Sequence, residues 1–132
     1  MKKTPLLHAE LSQLVASLGH GDLVVIADAG LPVAPGTRCI DLALTRGVPS
    51  FDQVLVTLLA EMQVERAALA EEAGSHSPDF VAGVGRRLPG LPMERVSHAE
   101  LKQRSAGARA IVRSGEFTPY ANLLLYAGVV FP

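Results

Sequence analysis

Two residues around the apolar run Leu23-Val24-Val25-Ile26 are not there for packing: His20 stands in front of it and Asp28 behind it. An imidazole titrates near neutrality and can give or take a proton. A carboxylate flanked by Ala27 and Ala29 can orient an imidazole or accept hydrogen bonds from ligand hydroxyls. Each residue also has a plainer account. A charged histidine just past a helix end complements the helix dipole, worth about 0.3–1 kcal/mol. An aspartate two residues before Gly30 is a good turn former. Further along, Tyr120-Ala121-Asn122 sets an aromatic ring, a phenol and a carboxamide beside backbone groups. That mixture suits a polyhydroxylated ligand, with the ring over C–H faces and the polar groups on hydroxyls. Tyr120 equally suits a half-buried strand. His98 falls in the first turn of an expected helix, where a neutral imidazole is favoured, and its plainer account is an exposed surface residue. His8 and His76 have no informative neighbours and read as surface.

Other chemistries lack their residues. The four histidines and Cys39 show none of the close ligand spacings of a zinc site, so no metal is expected. The chain carries no Gly-x-Gly-x-x-Gly, no phosphate loop and no serine or cysteine nucleophile elbow, so no nucleotide cofactor is expected. A net charge of −1 gives no footprint for nucleic acid. Arg86, Arg87 and Arg95 cluster loosely among Pro89, Gly90 and Pro92 and read as a solvated loop. The lone cysteine excludes an internal disulfide and fits a reducing cytoplasm. Lys2 and Lys3 look like the start of an export signal, but His8, Glu10, Ser12 and Gln13 break the apolar region that follows. Leu123 to Phe131 is too short to span a bilayer and reads as a buried strand.

The elements that position these residues follow from periodicity. Residues 1–132 are expected to form one domain. Leu7, Leu11, Leu14, Val15 and Leu18 recur at helical spacing, and Gly19 then ends the helix. Leu23–Ile26 reads as a strand covered on both faces. After the open loop Leu31–Gly36, Arg38–Leu44 reads as a second strand. Ser50-Phe51-Asp52-Gln53 has capping-box spacing and opens a helix. Val64–Ala70 is alanine-rich and fits helix or strand, with strand the preferred reading, and one short helix between loops is expected within Gly74–Pro92. Ser97-His98-Ala99-Glu100 opens another helix, through about Ser105, and Ala108–Val112 and Leu123–Val130 close the chain as strands. Strands alternating with helices imply an α/β fold, a central mostly parallel sheet with helices on both faces, whose ligands gather where loops meet strand ends. At 48% hydrophobic and 19% charged residues, the chain is apolar for its size. Surplus apolar surface needs cover, and a second copy is the simplest cover, so a homo-oligomer is expected.

Several segments then converge on one family. Gly19-His20-Gly21-Asp22, Asp28-Ala29-Gly30-Leu31-Pro32, Ile40-Asp41-Leu42-Ala43-Leu44, Gly47-Val48-Pro49-Ser50-Phe51, Glu61-Met62-Gln63-Val64-Glu65, Arg113-Ser114-Gly115-Glu116 and Pro119-Tyr120-Ala121-Asn122 occur in order along the chain. Together they resemble the ribose pyranase / fucose mutarotase superfamily, on its ribose pyranase branch. The resemblance implies a cytoplasmic enzyme that interconverts the pyranose and furanose forms of D-ribose without a cofactor. It implies His20 as proton donor and Asp28, His98, Tyr120, Ala121 and Asn122 as sugar-binding residues. It also implies a homodecamer of two stacked pentamers, with sites completed across subunit contacts. Against typical relatives, the Gly74–Pro92 region is shorter and richer in glycine and proline, and Phe117 stands where a small residue is expected.

Overall fold

The computed structural model describes residues 1–132. In chain order the elements are α1 (Ala9–Ser17), β1 (Leu23–Ala27), β2 (Cys39–Asp41), α2 (Phe51–Leu59), β3 (Val64–Ala70), α3 (Glu71–His76), α4 (Pro78–Arg87), β4 (Met93–Val96), α5 (His98–Ser105), β5 (Ala110–Arg113) and β6 (Leu123–Ala127). The strands make one six-stranded sheet in the order β2-β5-β1-β6-β3-β4. β2 pairs parallel with β5, β5 with β1, and β3 with β4, whereas β6 runs antiparallel to both β1 and β3. The sheet is thus mostly parallel with one reversed strand near its middle.

The alternation of strand side chains divides the core. Val24, Ile26, Leu69, Val112, Leu123 and Leu125 face one layer, where Leu11 and Leu14 of α1 and Phe51, Val54, Leu55 and Leu58 of α2 pack on them. Val25, Ala68, Ala70, Ile111, Leu124 and Tyr126 face the other layer, under Leu31 and Leu101 of α5. A strand apolar on both faces has to lie inside a sheet, and β1 does.

Helix starts follow the capping chemistry. Ser50 Oγ accepts from the Gln53 amide at 3.1 Å, and Gln53 Oε1 accepts from the Ser50 amide at 2.9 Å, completing the capping box of α2. Only half of the box forms at α5. Ser97 Oγ accepts from the Glu100 amide at 3.1 Å, but the Glu100 carboxylate turns away to Arg104 one turn on, at 3.2 Å.

The structure departs from the periodicity in several places. α1 is shorter than its apolar spacing: His8 caps its start through Nδ1, and Leu18 is already extended at its end. The strand expected over Arg38–Leu44 narrows to β2, because the Asp41 carboxylate accepts from the Ala43 amide at 3.0 Å and turns the chain. The last strand stops at Ala127, where pairing passes to the Gly128 amide and the Gln63 carbonyl. Within Gly74–Pro92 there are two helices rather than one: α3 ends in that segment, and α4 opens with Pro78 at its first position. Buried Ala73 and Val84 hold them on the core despite their glycines. Arg86 and Arg87 therefore end a helix and Arg95 lies on a strand. Arg87 makes a two-pronged pair with Asp52 at 2.9 and 2.7 Å, so these residues are not a solvated loop. β4 itself has no strong sequence signal, being a short charged strand at the sheet edge.

One glycine is fixed by contact. A Cβ on Gly115 would sit 2.6 Å from the carbonyl oxygens of Thr45 and Val48, and the Gly115 amide already donates to the Pro49 carbonyl at 2.7 Å. Backbone on both sides leaves nothing flexible to yield. Gly115→Ala is expected to destabilise the protein by roughly 1–3 kcal/mol in urea unfolding, with the loop of residues 42–50 loosened first in hydrogen exchange.

Candidate functional site

The C-terminal ends of the parallel strands and the N-terminal end of antiparallel β6 share one edge of the sheet. Asp28 follows β1, His98 opens the helix after β4, and Tyr120, Ala121 and Asn122 lead into β6. The structure thus brings these five residues to the same edge.

Asn122 is fully buried, and its carboxamide makes two hydrogen bonds to Asp28. Its Oδ1 accepts from the Asp28 amide at 2.8 Å, and its Nδ2 donates to Asp28 Oδ2 at 2.9 Å. The other carboxylate oxygen, Oδ1, accepts from the Gly30 amide at 2.9 Å. Asp28 is therefore held rigidly, with the remaining lone pairs of a half-buried carboxylate for a ligand. Asn122 acts as its clamp. This clamp is a contact that the sequence does not signal.

Tyr120 adopts φ +60°, a left-handed conformation that costs a bulky residue about 1–3 kcal/mol. Neighbouring bonds impose it: the Asn122 amide donates to the Tyr120 carbonyl at 2.9 Å, and the buried Ser77 hydroxyl donates to the Pro119 carbonyl at 2.7 Å. The phenol ring lies between two imidazoles, His98 at 5.0 Å edge-on and His76 at 5.1 Å tilted. His76 is exposed, as expected, but its approach to Tyr120 makes it the member of this group that sequence reasoning missed. Its one signal was its place four residues after Glu72, whose carbonyl lies 3.0 Å from His76 Nδ1. Glu72 also holds the backbone at His98, since both of its carboxylate oxygens accept from the His98 amide at 3.1 Å. Hydrogen bonds from its own amide and that of His98 hold the Glu72 carboxyl below the usual range. His98 Nδ1 is buried and has no hydrogen-bond partner, a polar atom left for a ligand.

Glu116 anchors the loop that carries Tyr120. Burial is the largest single influence on its carboxyl and pushes the pKa up. Hydrogen bonds from the amide of Phe51, the hydroxyl and amide of Thr118 and the amide of Phe117 outweigh that, so the group titrates below the ordinary glutamate value. Phe51 is the first residue of α2, where a carboxylate meets unpaired amides and the positive end of the helix dipole. Asp28, Ala29, Gly30 and residues 116–119 enclose a hollow of about 340 Å³. A larger cleft of about 770 Å³ lies across the same loop, lined among others by His76, Ser77 and Glu116. Phe117 stands exposed at the rim under the Arg46 guanidinium, 5.0 Å from the ring centroid.

His20 is elsewhere. It precedes β1, whereas Asp28 follows it, and five strand residues at about 3.3 Å each put roughly 17 Å between the two ends. Within one chain His20 cannot be polarised by Asp28. It sits on a tight, held turn: the Gly19 amide donates to Asp22 Oδ2 at 2.8 Å, Gly21 takes φ +85°, and its amide donates to the Ala127 carbonyl at 2.8 Å. Arg109 pins Asp22 from the far side at 2.6 Å. The imidazole is exposed, with Nε2 2.6 Å from Glu65 Oε2.

Fold and site together define an α/β protein with a clamped carboxylate and an aromatic group at the C-terminal edge of its sheet. The chain belongs to the RbsD / FucU transport protein family, whose model matches residues 1–130. It is 57% identical over 131 residues to a D-ribose pyranase of Chloroflexus aggregans, covering 99% of this chain and 100% of that one. It is 58% identical over 133 residues to a D-ribose pyranase of Variovorax paradoxus, with the same coverage. Among solved structures it is similar to Bacillus subtilis RbsD complexed with D-ribose, at 42% identity and a TM-score of 0.96 over 99% of this chain and 100% of that one. A fucose mutarotase of Streptococcus pneumoniae in complex with L-fucose shares the fold, at 24% identity and a TM-score of 0.85 over 99% and 100% of the two chains. The Chloroflexus relative is matched from end to end, so the Gly74–Pro92 region is not short beside it.

Removing the clamp is expected to cost stability and order together. Asn122→Ala leaves the Asp28 amide and carboxylate without their buried partner, and urea unfolding should register a loss of about 1–3 kcal/mol. The signals of Asp28 and Gly30 should broaden or double in amide spectra. An unshifted unfolding midpoint would mean that the clamp does not hold Asp28.

Proposed function

We propose that this protein is a sugar isomerase that interconverts the pyranose and furanose forms of D-ribose by acid–base ring opening and reclosure. The observation that carries the reading is the likeness, over the whole chain, to D-ribose pyranases and to a ribose-complexed structure. The gathering of Asp28, His98 and Tyr120 on one sheet edge supports it, because these groups suit a small polyol.

Ring opening needs a proton delivered to the ring oxygen while the anomeric hydroxyl loses one. The C1 to ring-oxygen bond breaks and an open-chain aldehyde forms. Reclosure through a different hydroxyl returns a proton to the carbonyl oxygen and releases one from the attacking hydroxyl, so protons balance over the cycle. His20 serves as the acid towards the ring oxygen and is recharged when the ring closes. The clamped Asp28 carboxylate accepts from sugar hydroxyls, and Tyr120 lies against their C–H face. His98, with its unpartnered Nδ1, binds or handles the second proton. Ala121 is fully buried and contributes through its backbone.

The distance between His20 and Asp28 gives this reading a second part: His20 of one protomer completes the Asp28 site of another. Exposed Leu7, Val56, Val130 and Phe131 supply apolar surface for such contacts, and a groove of about 510 Å³ runs past Leu7, Leu11 and Val56. The proposal extends to a closed homo-oligomer, the decamer of two stacked pentamers that the resemblance implies, each protomer a single domain. No helix is long and apolar enough to cross a membrane. Together with the lone Cys39, the resemblance supports a cytoplasmic setting.

Saturation-transfer NMR tests the activity directly. The wild-type protein should accelerate pyranose–furanose exchange of D-ribose and do so more strongly than for L-fucose. His20→Ala should lose about 10²–10⁴-fold while the fold survives, the usual contribution of positioned acid–base groups. Binding of ribose without any faster exchange would make the protein a sugar carrier instead. The shared site has its own test. His20→Ala and Asp28→Ala, each inactive alone, should regain exchange activity when co-assembled, because some sites then draw an intact residue from each parent. No recovery in verified mixed oligomers would overturn the shared site.

A further inference from the structure

We infer that Glu65 is the positioning residue of His20: it fixes the imidazole with Nε2–H bound to its carboxylate, so that Nδ1 is the nitrogen that exchanges a proton with the sugar. This rests on His20 being the acid. The pair is short, with His20 Nε2 2.6 Å from Glu65 Oε2, and a carboxylate accepts only, so the hydrogen between them belongs to the ring. Nδ1 has no partner within the protomer.

Glu65 reaches this position through a local irregularity of the sheet. Along β3, Val64 pairs with Ala127 and Arg66 with Tyr126, so Glu65 is the extra residue of a β-bulge. A bulge re-aims the side chain it carries. The partner strand is shaped to allow it. A Cβ on Gly128 would come within 3.1 Å of Glu65 Cβ and 3.4 Å of the Glu65 amide nitrogen, while the Gly128 amide donates to the Gln63 carbonyl at 2.9 Å. The neighbouring Arg66 is drawn off to stack on Tyr126, its guanidinium 3.6 Å from the ring centroid, and so leaves the carboxylate to the imidazole.

Stability does not account for this arrangement. The His20 and Glu65 side chains are 61% and 38% exposed, and ion pairs so exposed contribute little to folding. A bulge and a glycine shaped around a pair of that kind are explained by orientation. Glu65 neither gives nor takes the reacting proton. Its work is to choose the tautomer and hold the ring, as a carboxylate does for a histidine whose other nitrogen is in use.

The test uses the assembled protein. Glu65→Ala should lower kcat for D-ribose exchange about 10–100-fold, with KM nearly unchanged, because the sugar is bound by groups on another edge. Glu65→Gln, whose amide oxygen still accepts from Nε2–H, should recover part of the loss. Nitrogen-15 spectra of neutral His20 should show the Nε2–H tautomer in the wild type and a mixture in Glu65→Ala. Unchanged kcat in Glu65→Ala, or an Nδ1–H tautomer in the wild type, would overturn the assignment. Since His20→Ala is measured alongside, its loss of activity with an unaffected Glu65→Ala would sink the positioning role alone. Full activity in His20→Ala would sink the acid itself.

Discussion

The reversal of β6 between β1 and β3 is the constraint on which both functional edges depend. A strand running antiparallel through the middle of a parallel sheet begins where its neighbours end. At its start, Asn122 reaches across to clamp Asp28, and Tyr120 is forced into a left-handed turn between two imidazoles. At its finish, the Ala127 carbonyl takes the Gly21 amide and Gly128 makes room for the bulge at Glu65. One strand, five residues long, thus sets Asp28 and Tyr120 at one edge and His20 at the other. Its own leucines fill both layers of the core, so this positioning rests on the best-packed part of the molecule.

Much of this was legible in the sequence, for physical reasons that differ by element. β1 shows as an apolar run because a central strand is covered twice, whereas the alanine-rich β3 fits helix as well as strand until its pairing is seen. The start of α2 shows because Ser50 and Gln53 satisfy each other's amides locally. α3, α4 and β4 were legible only in part or not at all. Their stability comes from packing of Ala73, Val84 and Val96 against the sheet, which overrides glycines that locally disfavour a helix. The bulge at Glu65 has no signature in one chain, since it is a mismatch between two strands.

The site was legible as residue types and not as geometry. Asp28, His98, Tyr120 and Asn122 stand out as polar or aromatic residues at element ends, and the sheet brings them to one edge. That Asn122 spends its amide on Asp28 depends on a contact between residues 94 apart in the chain, which spacing does not encode. His76 reads only as surface in the sequence because its place in this group lies wholly in its approach to Tyr120. The pairing imagined between His20 and Asp28 fails for a simple reason. Proximity in sequence across a strand is distance in space, and an intervening β-strand holds its two flanks apart.

That last feature has a topological consequence. With His20 of one protomer completing the Asp28 site of another, as proposed above, the chain has a giving end and a receiving end. Joined in an open row, such chains always leave one giving end and one receiving end idle. Only an arrangement that closes on itself leaves none. Closure would then be worth something to catalysis as well as to solubility: the census of working sites equals the number of chains when the assembly is shut, and falls short of it whenever it is not.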